Sequence, residues 1–578
     1  MKPNKIFILT TMVVLLSGCL SEKNESYTTM DNYFRDVNQI KTGINGCYNP
    51  LRSFWARRDF WEMTDVATDL LYMSGSTVYN ANCDISPARP GVATPVWRYG
   101  YEGVKNTNDM TYAIDQAVQN KYITKSAAAP LYAETAVLRS LYYYVLTCTF
   151  GDVPYYNERV TEENRERIAT LPRMDARTTR DYCIEEIYEW IVEKQALPMV
   201  RTYEGTEYRA GAAVGLILAA KMCLWNERWD DAIMFIEKLE DIYDPSGKYK
   251  KNPEQFGVDY PLTDVPFAKR YTRESIFEMG NVVQDYGMQT SSMIASSCLP
   301  GKTSKSVLDS DSAASEDEED YTEEDGEELE DNSGWDCYAG ICIPELGLYA
   351  KPAASVRPNA YLYSRLLPYG SDDLRTGEYS NDAKEPRGGS GTLAWRWNGY
   401  KTTDNARETA SVQFFWTSAS SKSPLKSSSK PWMGNKFWSY NMHYTKDPNN
   451  YKIFRFADAL LMKAEAYLKK GDTDLACAYL NITRTRAGLV DPITFQSVLY
   501  EEEALMEEIR MERAKELVGE YQRKFDLVRW GIWYERTVMY NEGQYIQGFI
   551  RPCHRYWPIP SDQVAYSGHV LDNKEYSE

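Results

Sequence analysis

Phe454-Arg455-Phe456-Ala457-Asp458-Ala459-Leu460-Leu461-Met462-Lys463-Ala464-Glu465-Ala466, followed by Leu480-Asn481-Ile482-Thr483-Arg484-Thr485-Arg486-Ala487-Gly488, is the stretch that decides the fold. Its apolar residues recur at helical spacing and predict helices over 454–470 and 474–487. Lys469-Lys470-Gly471-Asp472 breaks the pattern between them. Ala464 and Ala476 stand twelve residues apart across that turn, where small side chains let two helices approach closely. Ala220 and Ala232 repeat the arrangement around Trp225-Asn226-Glu227-Arg228.

The same reading extends outward. Helices are expected over 101–120, 127–149, 179–196, 208–242, 500–518 and 521–530. In the second of these, Leu131, Leu138, Leu141, Tyr142 and Val145 share one face, and Gly151-Asp152-Val153-Pro154 is a clear stop. The paired small residues resemble tetratricopeptide-type units. Residues 245–450 differ: Gly, Pro and Ser are frequent, Trp and Tyr are scattered, and helical runs are few. Residues 302–334 are low in complexity and rich in Ser, Asp and Glu, a composition that favours disorder. The expected fold class is therefore all-α, a tetratricopeptide-like helix-pair scaffold with a large irregular, loop-rich insertion. Its segments are 31–244 (N-terminal helical), 245–450 (insertion) and 451–578 (C-terminal helical).

The N-terminus carries an address. Lys2 and Lys5 precede an apolar run, Ile6 to Leu16, which ends in Leu16-Ser17-Gly18-Cys19. This is the form of a secretory signal, too short to span a bilayer, which needs roughly 20 residues. Cys19 directly after Ser-Gly resembles the lipobox of bacterial lipoproteins, in which that thiol is acylated and becomes the new N-terminus. Residues 1–18 then read as signal peptide and 19–30 as a lipidated tether.

Composition excludes several classes of function. The 578 residues are 43% hydrophobic and 13% aromatic, a globular composition with a formal charge of −18. Fourteen acidic residues lie between Asp309 and Asp331 with no Lys or Arg among them, so the acidity is local. There is no basic footprint for nucleic acid. Only His443, His554 and His569 are present, and no Cys/His spacing suggests zinc. No cofactor or metal site is expected: the acidic tract lacks the Asp-x-Asp-x-Asp-Gly order of a calcium loop. Cys148 and Cys223 lie in apolar helical runs and read as buried free thiols. Cys337 and Cys342 are close enough in sequence for a small disulfide loop.

Four segments together resemble the SusD/RagB family of surface glycan-binding lipoproteins of Bacteroidetes. They are Ala133–Tyr143 running on to Phe150-Gly151-Asp152-Val153-Pro154; the stretch 454–488; Ile509–Leu517 with Phe525–Gly531; and Trp557-Pro558-Ile559-Pro560 with Leu571-Asp572-Asn573. One departure is Asn573-Lys574-Glu575-Tyr576, where the family usually has Asn-Pro-Gly-Tyr. These motifs read chiefly as scaffold. Arg139, Glu465, Arg486, Glu512, Arg513 and Asp526 are expected to form ion pairs and caps between helices, because a buried charge is tolerated only when paired.

The resemblance implies a non-catalytic lipoprotein of the outer membrane and cell surface that captures oligosaccharide and delivers it to a SusC-like TonB-dependent transporter. A glycoside hydrolase, needing an Asp/Glu pair roughly 5–9 Å apart, and a helical adaptor that binds only a partner protein or peptide are the alternatives. A sugar is gripped by aromatic rings under its C–H face and polar groups at its rim, commonly on loops carried by a rigid scaffold. Two zones fit: residues 55–101, with Trp55, Trp61, Tyr72, Tyr79, Trp97 and Tyr99, and residues 280–400, with Tyr286, Trp335, Tyr338, Trp395 and Trp397. The candidate glycan contacts are Trp335, Trp97, Tyr72, Tyr79, Tyr286 and Trp395.

Overall fold

The computed structural model describes residues 33–281 except 56, 74 and 200–208; 294–298; 303–304; 335–336; 355–378 except 369; 392–396; 432–439 except 438; and 447–576. Helices dominate. The first to form a long pair are α1 (Ala93–Gln119) and α2 (Lys125–Phe150), joined by five residues. Their approach is close at Gly103, where a Cβ would run into the Tyr142 ring. The Tyr142 hydroxyl in turn donates to the Cys47 carbonyl at 2.5 Å. The Thr124 side chain accepts from the amide of Ala127 at 3.2 Å and starts α2, while Pro130, sixth in the helix and past its first turn, leaves out one backbone hydrogen bond.

Next come α3 (Ala176–Ile187), α4 (Ala212–Trp225), α5 (Trp229–Tyr243) and α6 (Pro253–Asp259). Helix α4 is buried from Ala212 to Leu224, as a helix apolar on every side must be. The pair that opened the sequence reading is α7 (Phe456–Lys469) and α8 (Thr473–Arg486), the latter capped by Asp472, which accepts from the Leu475 amide at 3.0 Å. Ala220, Ala232, Ala464 and Ala476 are all fully buried, so both small-residue pairs mark helix packing. Helices α9 (Glu502–Leu517), α10 (Arg523–Arg529) and α11 (Trp533–Tyr540) complete the scaffold.

The strands are short: β1 (Leu71–Met73), β2 (Ser275–Met279), β3 (Thr303–Ser304), β4 (Trp335–Asp336), β5 (Val356–Pro358), β6 (Thr376–Glu378), β7 (Leu393–Arg396), β8 (Trp432–Met433) and β9 (Tyr451–Arg455). Antiparallel pairs join β1 to β5, β2 to β9 and β3 to β4, while β7 lies between β6 and β8. The part of 245–450 nearest the N-terminal helices is scaffold rather than irregular: α6 packs on α8, and β2 is buried along its length against β9.

Charged residues inside this scaffold are paired. Arg455 donates to Glu274 at 2.7 Å, to Glu520 at 2.8 Å and to Glu516 at 2.9 Å. Arg486 holds Glu274 at 2.9 Å and Glu516 at 2.5 Å. Arg375 holds Asp373 at 2.8 Å, Glu512 at 2.8 Å and Glu516 at 3.1 Å, and Lys436 reaches Glu520 at 2.7 Å. With Lys515 beside Asp373 at 3.3 Å, five cations face five carboxylates. A second group links Lys221 and Arg513 to Asp458, Arg513 to Asp526, and Arg529 to Glu465. Arg139 pairs with Glu186. The six motif residues expected to lock helices do so. Burial alone would raise the Glu512 carboxyl; Arg375 and Lys515 outweigh it and hold it at about 2.

Cys148 and Cys223 are buried free thiols, as are Cys47, Cys83, Cys183, Cys298 and Cys477. Residues 1–30 with Cys19, the acidic tract within 302–334 from 305 onward, and Cys337 and Cys342 lie outside the described residues.

Candidate glycan-binding surface

The first aromatic zone is mounted on buried side-chain amides and ion pairs of the C-terminal region. Ala67–Leu71 leads into β1 and is gripped from below by side chains of the C-terminal region. The Asn541 side-chain amide donates to the carbonyls of Val66 (3.1 Å), Thr68 (2.7 Å) and Leu71 (2.9 Å). Trp533 Nε1 donates to Ala67 at 3.0 Å. Asp69 is held by Arg523 at 2.6 Å and Arg536 at 3.0 Å; burial would raise its carboxyl, but these two guanidiniums bring it below its ordinary range. Asn359 joins from the other side, its amide N–H donating to Leu70 at 2.8 Å and its side-chain oxygen accepting from Glu542 at 2.9 Å.

On this mount, Tyr72 of β1 lies half-buried opposite Arg357 of β5. The following loop folds on itself. Asn82 donates to the Gly75 carbonyl at 2.9 Å, and the Asn80 side chain accepts from the Val92 amide at 3.1 Å. Gly91 sits at φ +57 against Asn80, where a side chain would be both strained and obstructed. The loop presents Tyr79, which is 42% exposed. The Arg89 guanidinium lies 5.0 Å over the Tyr79 ring centroid and pairs with Asp84 at 2.6 Å. Ring, cation and carboxylate thus stand together in solvent, the combination a saccharide's C–H face and hydroxyls require.

The polar edge continues toward α1. Asn80 hydrogen-bonds Glu62, which pairs with Arg58 at 2.9 Å. Burial outweighs the Arg58 charge and pushes the Glu62 carboxyl up to about 7. Arg57 pairs with Asp59 at 2.7 Å and lies within electrostatic reach of Tyr99, whose ring is also 5.4 Å from the Arg98 guanidinium. The backbone here includes a π-turn, Glu62–Val66, and a second, Tyr361–Leu366, follows β5. Such turns occur often at functional sites.

Sequence reasoning named aromatic rings and the structure separates them. Trp97 is a correction: it is 5% exposed and packed at 5.0 Å on Phe150 and 4.9 Å on Tyr101, a core residue rather than a platform. Trp55 and Trp61 are likewise buried, each at the end of a short helix, Asn49–Trp55 and Arg58–Trp61, that faces the core. Tyr72, Tyr79 and Tyr99 remain at or near the surface. Of the second zone, the Trp335 backbone pairs with Ser304, and Trp395 lies in β7. Their side chains, and Tyr286, Tyr338 and Trp397 entirely, lie outside the described residues. The polar partners Asp84, Arg89, Asn80, Arg57 and Arg98 were not picked out by sequence. The turn Ser86-Pro87-Ala88-Arg89-Pro90 was the one signal available for Arg89. Among the described residues no group of three or more His, Cys, Asp or Glu is placed to hold a metal, and no helix is long and apolar enough to cross a membrane.

A mostly helical scaffold of packed helix pairs, with its rings and charges displayed on loops, defines the class of fold. The SusD family model matches residues 273–576, more than half of the chain, and a model described as starch-binding associating with outer membrane matches residues 20–222. The chain belongs to the SusD family. It is 20% identical to SusD-like protein P25 of Formosa agariphila over 99% of this chain and 98% of that protein. Surface glycan-binding protein A from Bacteroides uniformis superposes with a TM-score of 0.60 at 19% identity, over 94% of this chain and 100% of that one. Surface glycan-binding protein A from Bacteroides thetaiotaomicron, solved in complex with laminarihexaose, gives 0.60 at 19% identity over 93% and 99%.

Proposed function

We propose that this protein is a lipoprotein anchored through Cys19 to the outer membrane, which captures an oligosaccharide at the cell surface and passes it to a TonB-dependent transporter without cleaving it. The observation that carries the reading is the Tyr79–Arg89–Asp84 group, exposed on a loop whose base is fixed by Asn541, Asn359 and Asp69. A ring held by neighbours before the ligand arrives needs little ordering on binding. A protein of the same fold was solved in complex with laminarihexaose, which supports a sugar as the ligand class. The contacts proposed are Tyr79, Arg89 and Asp84, with Tyr72 and Tyr99 beside them and Trp335, Tyr286 and Trp395 contributed by the second zone.

The test is binding of the mature chain to a panel of plant, host and microbial glycans, with products followed by chromatography. Selective binding that falls in Tyr79→Ala, with no sugar released, supports capture. Release of shorter sugars would establish a hydrolase instead, and silence across the whole panel would overturn the glycan reading.

A further inference from the structure

A second aromatic cleft lies on the helix pair far from the loop surface. It has a volume of about 510 Å³ and is lined by Asp115 and Gln119 of α1, Lys125 and Tyr132 of α2, and Trp190 and Lys194 beyond α3. Its shape has a local cause. After Ile187 the helix continues as a π-turn, Tyr188–Glu193, in which the Lys194 amide donates to the Glu189 carbonyl five residues back, at 2.9 Å. The Trp190 ring stacks on Tyr132, with centroids 5.3 Å apart and planes 22° apart. The Tyr132 hydroxyl donates to Asp115 at 2.5 Å, which fixes that ring from the neighbouring helix. Among the described residues three π-turns occur: two flank the loop surface, and the third makes this cleft.

The chemistry is that of a saccharide contact. Two half-buried rings supply an apolar face. Asp115 offers an acceptor, Gln119 an amide and Lys125 a donor, a rim of mixed sign that selects neither anions nor cations. The Lys194 ammonium stands 3.7 Å from the Trp190 centroid and pairs with Glu189. Both partners of that pair are largely exposed, so it contributes little and a ligand can displace it.

Position gives the cleft a separate role. Tyr132 and Phe150 are eighteen residues apart on α2, or about 27 Å at 1.5 Å per residue. Phe150 packs against Trp97 at the foot of the loop surface. A short oligosaccharide at one site cannot reach the other, whereas a polymer can. We propose that Tyr132 and Trp190 form a second carbohydrate-contact site, which holds a distant part of a polysaccharide whose recognised segment sits on the loop surface. The proposal rests on the glycan-binding reading above. Two contacts on one chain raise affinity through effective concentration, without new chemistry at either.

The test compares wild type, Trp190→Ala, the exposed-rim double variant Gln119→Ala/Lys125→Ala, and Tyr79→Ala, each first checked for an unchanged melting temperature. The probes are laminarin, pullulan, xylan, arabinan and mannan in native affinity gels, and the trisaccharide of whichever polymer retards wild type most, titrated by calorimetry. Trp190→Ala should weaken polymer binding about tenfold, leaving trisaccharide affinity unchanged. Tyr79→Ala should weaken both. The rim variant should follow Trp190→Ala in direction, and it decides the matter if Trp190→Ala melts early. Polymer affinity unchanged in both cleft variants, with wild type still binding, overturns the second site alone. Wild type that binds none of the polymers overturns the parent reading together with this one.

Discussion

Arg375 and Arg89 make the same kind of contact in opposite surroundings. The Arg375 side chain is 1% exposed and meets three carboxylates, Asp373, Glu512 and Glu516. The Arg89 side chain is 57% exposed and meets one, Asp84, together with the Tyr79 ring. In the first region every charge is spent on another charge of the same chain, drawn from segments 274, 373–375, 436, 455, 486 and 512–520. In the second, water still competes for the groups, and a ligand hydroxyl can take water's place. Identical side chains therefore serve as mortar where solvent is excluded and stay open to a ligand where it is not.

The sharpest way to break this contrast is Glu516→Ala, which removes the carboxylate shared by Arg375, Arg455 and Arg486 and leaves the buried network one negative charge short. A loss of about 3–5 kcal/mol is expected, measured as a lowered urea midpoint or as absence of a folded monomer. Next is Gly103→Ala, which pushes a methyl group into Tyr142 and should cost about 1–3 kcal/mol without touching any charge. Arg89→Ala should change stability by less than about 1 kcal/mol, yet weaken glycan binding about tenfold, a loss of about 1.4 kcal/mol. If its melting temperature drops as far as that of Gly103→Ala, the loop is structural and the contrast fails.

Titration separates the regions by sign. Glu512 lies at about 2 in the fold against an ordinary 4.5, so its contribution is complete above pH 4.5 and fades as pH falls toward 2. Glu62, at the loop's foot, is displaced upward to about 7. Its cost is nil below 4.5 and grows as pH rises from 4.5 through 7. Glu62→Gln should therefore raise the melting temperature at pH 8 and leave it unchanged at pH 4. A gain at both pH values would show that charge is not the cause.

Much of the scaffold was legible because helix pairing writes a period into the chain. Ala464, Ala476 and the stretch 454–488 gave both partners of α7–α8 to within two residues. Arg486, Glu512, Arg513 and Asp526 stood out as charges in apolar runs and proved paired. Glu274, Arg375 and Lys436 did not stand out. They belong to a stretch without periodicity, and, Asp373 beside Arg375 aside, their ion-pair partners lie 84 to 212 residues away. The loop surface was half legible. Ring content marked the zone, but Trp97 is as apolar as any platform, and only its place on the inner side of α1 reveals it as core. Asn541 and Asn359, which hold the loop from far along the chain, carry no local signature at all.

The ladder between β2 and β9 has a consequence for how such proteins diverge. It fastens Ser275 to Arg455 and Met279 to Tyr451, so the excursion from 280 to 450 leaves and re-enters the scaffold at one doorway. Doubling the length of an excursion with fixed ends costs only about 0.6 kcal/mol in closure entropy. Mutation can thus lengthen or shorten the stretches of that panel that lie between its pinned parts, Val356–Pro358, Asn359, Arg375 and Lys436, while the frame stays intact, and a lineage can meet a new diet by redecorating one opening in a house it already owns.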